Sequence, residues 1–221
     1  QEQLINYINE NKITVLLVRS ATTARKDLID SCPSLKIIAR GGVGMDNIDV
    51  EYAREKGLSV INTPAASSSS VAELVFAHLF GGVRFLYDSN RNMPLEGESN
   101  FKDLKKAYAK GIELRGKTIG IIGYGRLGKM MTDYCYAFGM NTLPYDPYKF
   151  DADFELLLKI SDVISLHVHA NDETRHMIDK KVLGKMKNNS YIVNTSRGEI
   201  VNEHDIVDAL RSGKLKGYAT D

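Results

Sequence analysis

Three glycines and one aspartate carry the first chemistry in this chain. The run Gly123-Tyr124-Gly125-Arg126-Leu127-Gly128 follows the apolar stretch Thr118–Ile122, and a helical stretch comes after it. A second strand-like stretch, Asn141–Tyr145, then ends at Asp146. In such an order the first glycine lets the chain turn sharply out of the strand. The second removes a side chain so that backbone can approach a diphosphate, and the third lets the helix pack close to the sheet. The helix start presents unpaired N–H groups and the positive end of its dipole to the phosphates. Asp146 stands where a carboxylate accepts hydrogen bonds from both hydroxyls of an adenosine ribose and repels a 2′-phosphate. The pattern points to a dinucleotide, NAD rather than NADP, and so to redox chemistry. Arg126 and Leu127 offer their backbone to the phosphates, and the Arg126 guanidinium is placed to cap them.

Other residues of chemical interest lie at the ends of apolar stretches. Arg197 follows the buried run 191–194, at the edge where open α/β sheets bind ligands. A guanidinium there matches a carboxylate bidentately and polarises a carbonyl. Arg19 and Arg40 follow two earlier strand-like runs and suit an anionic, phosphorylated acid. His167 and His169 form a His-x-His pair at a strand end, but no acidic or thiol partner has metal-ligand spacing, so no metal site is expected.

The elements that must position these groups alternate. Helices are expected over 1–10, 24–31, 50–56 and 71–86, with strands over 13–18, 35–39 and 58–62. Residues 88–115 read as a polar surface connection with one short helix over 101–109, its lysines Lys102, Lys105, Lys106 and Lys110 forming a solvated face. Beyond them come strands over 118–122, 141–145, 163–168, 191–194 and 217–220, with helices over 154–160, 180–185 and 203–211. Alternation of this kind predicts parallel sheets covered on both faces. The serine run 67–70 reads as an N-cap. Between Asp146 and Asp162 there is room for one helix but not for the additional strand a doubly wound domain carries.

Composition bounds the rest. The chain has 221 residues, a formal net charge of +1 and two cysteines. No basic field argues for nucleic acid or an anionic membrane, and no apolar run reaches spanning length. Cys32 and Cys135 are too few for a disulfide framework, which favours a reducing cytoplasm.

Several stretches together resemble the D-isomer-specific 2-hydroxyacid dehydrogenases. They are Val18-Arg19-Ser20-Ala21-Thr22, the run from Ala39 to Asp49, Asn62-Thr63-Pro64, Val71-Ala72-Glu73-Leu74, the glycine turn, Tyr145-Asp146-Pro147, and Val193-Asn194-Thr195-Ser196-Arg197-Gly198. The resemblance implies an α/β fold of two doubly wound parallel-sheet domains. A flavodoxin-like substrate half would span 1–87 and a Rossmann NAD-binding half 88–221, with the chain incomplete at both ends. It implies an active site in the cleft between the halves, closure on binding, and a homodimer or homotetramer. Arg197 takes the position of the catalytic Arg that binds the substrate carboxylate and carbonyl oxygen. His167, Val168, Thr195 and Ser196 are implied to line the cofactor site, and Asp221 to face the nicotinamide carboxamide. Arg19, Ser20, Arg40, Gly41, Gly42 and Val43 are implied to face substrate, with Val43 also near the nicotinamide. The family's catalytic Glu and His would follow Asp221, and none of the five histidines present sits in that motif. Two departures stand out: Ala66-Ser67 replaces a Gly-Asn pair, and Val43 replaces a Thr frequent in relatives.

The function the resemblance implies is NAD-dependent oxidation of a small anionic 2-hydroxy acid, D-3-phosphoglycerate, to 3-phosphohydroxypyruvate. A glyoxylate or hydroxypyruvate reductase and a non-catalytic NAD-sensing scaffold remain the alternatives.

Overall fold

The central strands in the second half of the chain are buried along their whole length, whereas burial alternates along the first strand although all four of its residues are apolar. The computed structural model, which describes residues 1–150 and 152–221, gives both patterns their physical reason. It divides into two units, Gln1–Ser68 and Ser69–Asp221.

In the first unit, β1 (Val15–Val18), β2 (Ile37–Arg40) and β3 (Ser59–Asn62) form a parallel sheet in that order. The register aligns Val18, Arg40 and Asn62 across its carboxyl edge. Helices α1 (Glu2–Glu10), α2 (Lys26–Ser31) and α3 (Val50–Glu55) contribute Ile8, Leu28, Ile29 and Ala53 to one core with Leu16, Val18 and Ile38. All three therefore cover the same face. Val15, Leu17 and Ile61 on the opposite face are exposed, Leu17 at 71%. The expectation of a sheet covered on both faces is corrected here: β1 is apolar throughout, but successive side chains point to opposite faces and only those on the helix-covered face are buried.

The second unit follows the expected pattern. Strands β4 (Thr118–Ile122), β5 (Asn141–Tyr145), β6 (Val163–Leu166), β7 (Ser190–Asn194) and β8 (Leu215–Thr220) run parallel in the order β5-β4-β6-β7-β8. One core joins α4 (Ser68–Val83) and α6 (Arg126–Ala137) to Ile119, Ile121, Val163 and Val193. The other joins α7 (Phe154–Ile160), α8 (Lys180–Lys185) and α9 (Glu203–Arg211) to Ile122, Ile164, Leu166 and Ile192. Residues of β6 and β7 are buried throughout because helices cover both faces. Ala72, Val75, Phe76, Leu79 and Val83 of α4 pack in this unit, whereas the sequence grouped residues 1–87 together. Cys135 is buried in the same core, which pushes its thiol up to about 12.

The segment 88–115 departs from expectation. α5 (Leu86–Tyr108) occupies most of it and contains Pro94. Asn100 at φ −128° breaks the helix into two arms. A straight helix of this length would part its ends by roughly 34 Å. Instead the rings of Phe85 and Tyr108 lie 6.2 Å apart, and Asn92 Nδ2 donates to the Tyr108 hydroxyl at 3.0 Å. The second arm is the short helix expected over 101–109. The first arm was hidden by Asn90, Pro94 and Gly97, whose local preferences oppose helix but which folding back of the segment overrides. No single helix is long and apolar enough to cross a membrane among the described residues.

Among the described residues no strand lies between β5 and β6, so β5 forms the edge of the sheet. This matches the missing strand read from the short interval before Asp162.

Candidate functional site

Because all five strands of the second unit are parallel, their carboxyl ends share one edge. In sheet order that edge carries Asp146 after β5, the glycine turn after β4, His167 and Val168 after β6, Thr195 to Arg197 after β7, and Asp221 after β8. Every cofactor residue expected in this unit is thus brought to one sheet edge. Four interstrand steps of about 4.8 Å extend it over roughly 19 Å, the scale of an outstretched dinucleotide.

The three glycines differ in what surrounds them. Gly123 has φ +95°, and a Cβ there would lie 2.5 Å from the His167 carbonyl oxygen. A Cβ on Gly128 would lie 2.3 Å from the Gly123 carbonyl oxygen. A Cβ on Gly125 would meet nothing within 4 Å. Two glycines are therefore needed for backbone packing, and the middle one leaves open space at the start of α6, whose N-cap residue makes no side-chain cap. That bare opening fits a diphosphate approaching the helix start. Arg126 is exposed beside it, and Leu127 packs against the core.

Asp146 is 8% exposed. Its Oδ2 accepts from the Tyr124 N–H at 3.1 Å and from Lys149 Nζ at 2.6 Å, and its Oδ1 accepts from the Tyr148 N–H at 3.3 Å. The Lys149 ammonium, followed by those backbone N–H groups, holds the carboxyl below its ordinary range against the opposing effect of burial. Sequence reasoning missed Lys149; its three-residue spacing from Asp146 was the available signal.

His167 accepts or donates at Nε2 with Ser165 Oγ at 2.8 Å, while its buried Nδ1 has no partner among the described residues. Burial pushes the imidazole down to about 4, so it is neutral near pH 7. His169 is exposed, and no group of three or more His, Cys, Asp or Glu is assembled for a metal among the described residues.

The loop after β7 is organised by Asn194, which is buried. Its Oδ1 accepts from the Ser196 N–H at 3.1 Å, and its Nδ2 donates to the Arg197 carbonyl at 2.8 Å. Ser196 Oγ donates to the Leu166 carbonyl at 2.7 Å, tying this loop to β6. Thr195 Oγ1 is buried without a partner among the described residues. Arg197 is exposed at the edge, its Nη1 donating to the Ser196 carbonyl at 2.7 Å. The Asp221 N–H donates to the Asn194 carbonyl at 3.3 Å, placing Asp221 beside the same loop. Asn194 was quoted as part of a motif, but its two-sided hydrogen bonding was not foreseen.

The substrate residues expected in the first unit also assemble at one edge. Arg40 ends β2, and its Nη2 donates to Ser20 Oγ at 3.3 Å. The Gly41 N–H donates to the Val18 carbonyl at 3.0 Å, and a Cβ on Gly42 would lie 3.3 Å from Arg40 Nε. Asn47 Nδ2 fixes the Arg19 carbonyl at 2.9 Å, and Asn62 Nδ2 fixes the Val43 carbonyl at 2.7 Å. Arg40 Nε and Nη1 are buried with no acceptor among the described residues. A guanidinium with two buried, unmatched donors is costly until an anion meets it.

The chain is similar to several known proteins. Residues 76–221 match the family model described as D-isomer specific 2-hydroxyacid dehydrogenase, NAD binding domain. A hydroxypyruvate reductase of Thermotoga maritima is 41% identical, covering the whole chain and 72% of that protein. A D-3-phosphoglycerate dehydrogenase of Methanocaldococcus jannaschii is 40% identical, covering the whole chain and 43% of that protein. The crystal structure of D-lactate dehydrogenase from Aquifex aeolicus, complexed with NAD and lactic acid, has a TM-score of 0.83 at 34% identity and covers 98% of this chain and 66% of that one. The chain thus spans 43% to 72% of the length of these relatives.

Proposed function

Because this chain belongs to the D-isomer specific 2-hydroxyacid dehydrogenase family, we propose that it oxidises D-3-phosphoglycerate to 3-phosphohydroxypyruvate, the first step of serine synthesis. NAD, when bound, supplies the acceptor for the hydride leaving C2. The glycine turn and the start of α6 hold its diphosphate, with Arg126 and Leu127 at the contact, and Asp146 accepts the adenosine ribose hydroxyls. His167, Val168, Thr195 and Ser196 line the cofactor, and Asp221 faces its carboxamide.

Arg197 is the catalytic residue of this reading. It binds the substrate carboxylate and stabilises the negative charge developing on the C2 oxygen as the hydroxyl proton passes to a general-base His outside these residues, as the family resemblance implies. His167 is not the proton acceptor, since burial holds it down to about 4 and its Nε2 is engaged by Ser165. The observation that carries the choice of a phosphorylated acid is the pair of buried donors on Arg40 without an acceptor among the described residues, its third nitrogen donating to Ser20. Gly41, Gly42 and Val43 shape the backbone around that guanidinium. A cytoplasmic homo-oligomer is part of the same proposal.

A hydroxypyruvate reductase is the second reading, favoured by the 41% identical relative of that name. Steady-state assays across D-3-phosphoglycerate, D-glycerate, D-lactate, hydroxypyruvate and glyoxylate separate the two. The proposal expects the highest kcat/KM for the phosphorylated acid; preference for hydroxypyruvate would replace it with the second reading. Binding of NADH without turnover of any of these would favour a binding-only role.

A further inference from the structure

We propose that Lys149 is a cofactor-selecting residue that lets this site accept a 2′-phosphorylated dinucleotide alongside NAD. The inference rests on the dinucleotide reading of the β4–β5 edge and concerns which dinucleotide is admitted. An ionised carboxylate offers about four acceptor positions. Three on Asp146 are taken, by the N–H groups of Tyr124 and Tyr148 and by Lys149 Nζ. A ribose diol needs two, so it must displace Lys149 from Oδ2.

The lysine is built to stay near when displaced. Nζ also donates to the Tyr124 carbonyl at 2.9 Å, inside the glycine turn, and the side chain is 47% exposed. An Asp alone at this place repels a 2′-phosphate. Here the Asp146–Lys149 pair is neutral as a unit, and the ammonium stands directly at the carboxylate that would receive the ribose, within reach of a phosphate on it. Glu173 approaches from the loop after β6, but its carboxylate is engaged by the Tyr148 hydroxyl. The open edge at β5 leaves no further strand beside this corner among the described residues.

The test is a titration of NADH and NADPH, read by the emission of the reduced nicotinamide, with the purified protein and its Lys149→Met and Lys149→Arg variants. The inference expects K149M to raise the ratio of the NADPH to the NADH dissociation constant by about tenfold or more, the value of one charge-assisted contact. K149R should keep that ratio near the wild-type value. In the wild-type protein alone, added salt should weaken NADPH binding more steeply than NADH binding, which keeps the test available if a variant folds poorly. A ratio unchanged in K149M, with equal salt slopes in the wild type, overturns the inference while leaving the dinucleotide site intact. Failure of the folded wild-type protein to bind either compound would overturn the dinucleotide reading, and the inference with it.

Discussion

Alanine at Gly125 and alanine at Gly128 should fail in different ways. A Cβ on Gly128 would sit 2.3 Å from the Gly123 carbonyl oxygen, whereas real Cβ atoms stay beyond 3.0 Å, so α6 must retreat by about 0.7 Å. Overpacking of that kind costs about 1–3 kcal/mol. For a protein of this size it lowers Tm by roughly 2–4 °C per kcal/mol. Gly125 has φ −77° and ψ −155°, which alanine adopts freely, and its Cβ would meet nothing within 4 Å. Gly125→Ala should therefore change stability by no more than about 1 kcal/mol, the scale of an N-cap preference. Its methyl group would nevertheless fill the opening assigned to the diphosphate. The expected result is a wild-type-like melting curve with NADH affinity reduced about tenfold or more, at least 1.4 kcal/mol. Gly128→Ala should lose both stability and affinity. Differential scanning fluorimetry and NADH titration on the same samples measure both quantities. A G125A protein that melts and binds like the wild type would refute the reasoning, because the diphosphate could not then lie against that backbone.

His167 also gives a pH dependence. Burial holds the folded imidazole at about 4 against 6.5, so the unfolded state binds the extra proton first as pH falls. Its stabilisation is complete above about pH 6.5 and fades as pH drops toward 4, by at most about 3 kcal/mol. Denaturant titrations of wild type and His167→Asn across that window should converge as the pH falls; parallel curves would show that the ring is not buried neutral. Asp146 behaves differently because its folded carboxyl lies below its ordinary range. Its contribution should persist above about pH 4 and disappear below it, so the stability gap between wild type and Asp146→Asn should narrow only under acid. D-3-phosphoglycerate is expected to raise the Tm of the wild type; Arg40→Met should abolish that rise and raise KM for phosphorylated acids selectively. An equal loss with D-lactate would remove Arg40 from phosphate recognition.

How much of this could be read in the sequence depended on whether neighbouring residues sufficed to determine structure. The glycine turn and Asp146 were legible because each role is local: a positive φ at Gly123, a bare helix start at Gly125, an acid at a strand tip. The missing strand was legible because the interval before Asp162 is simply too short for it. The strand end that delivers Arg197 was legible because β7 is buried along its length and carries the unbroken apolar run Tyr191-Ile192-Val193. The first arm of α5 was not, since Pro94 and Gly97 argue locally against a helix that folding back at Asn100 stabilises. The exposed face of β1 was hidden in the same way. Leu17 looks like a core residue until the three helices are seen to share the opposite face. The pairing of Lys149 with Asp146, and Asn194 bridging Ser196 to Arg197, needed coordinates because hydrogen-bond partners depend on loop geometry.

The most direct test of the central claim is a crystal structure of this protein grown with NAD. The account predicts the diphosphate against Gly125 at the start of α6, the adenosine ribose hydroxyls on Asp146 with Lys149 moved off Oδ2, and the nicotinamide toward Arg197 and Asp221. Density for the dinucleotide away from the carboxyl edge of β4 and β5, or none in a crystal saturated with it, would contradict the account.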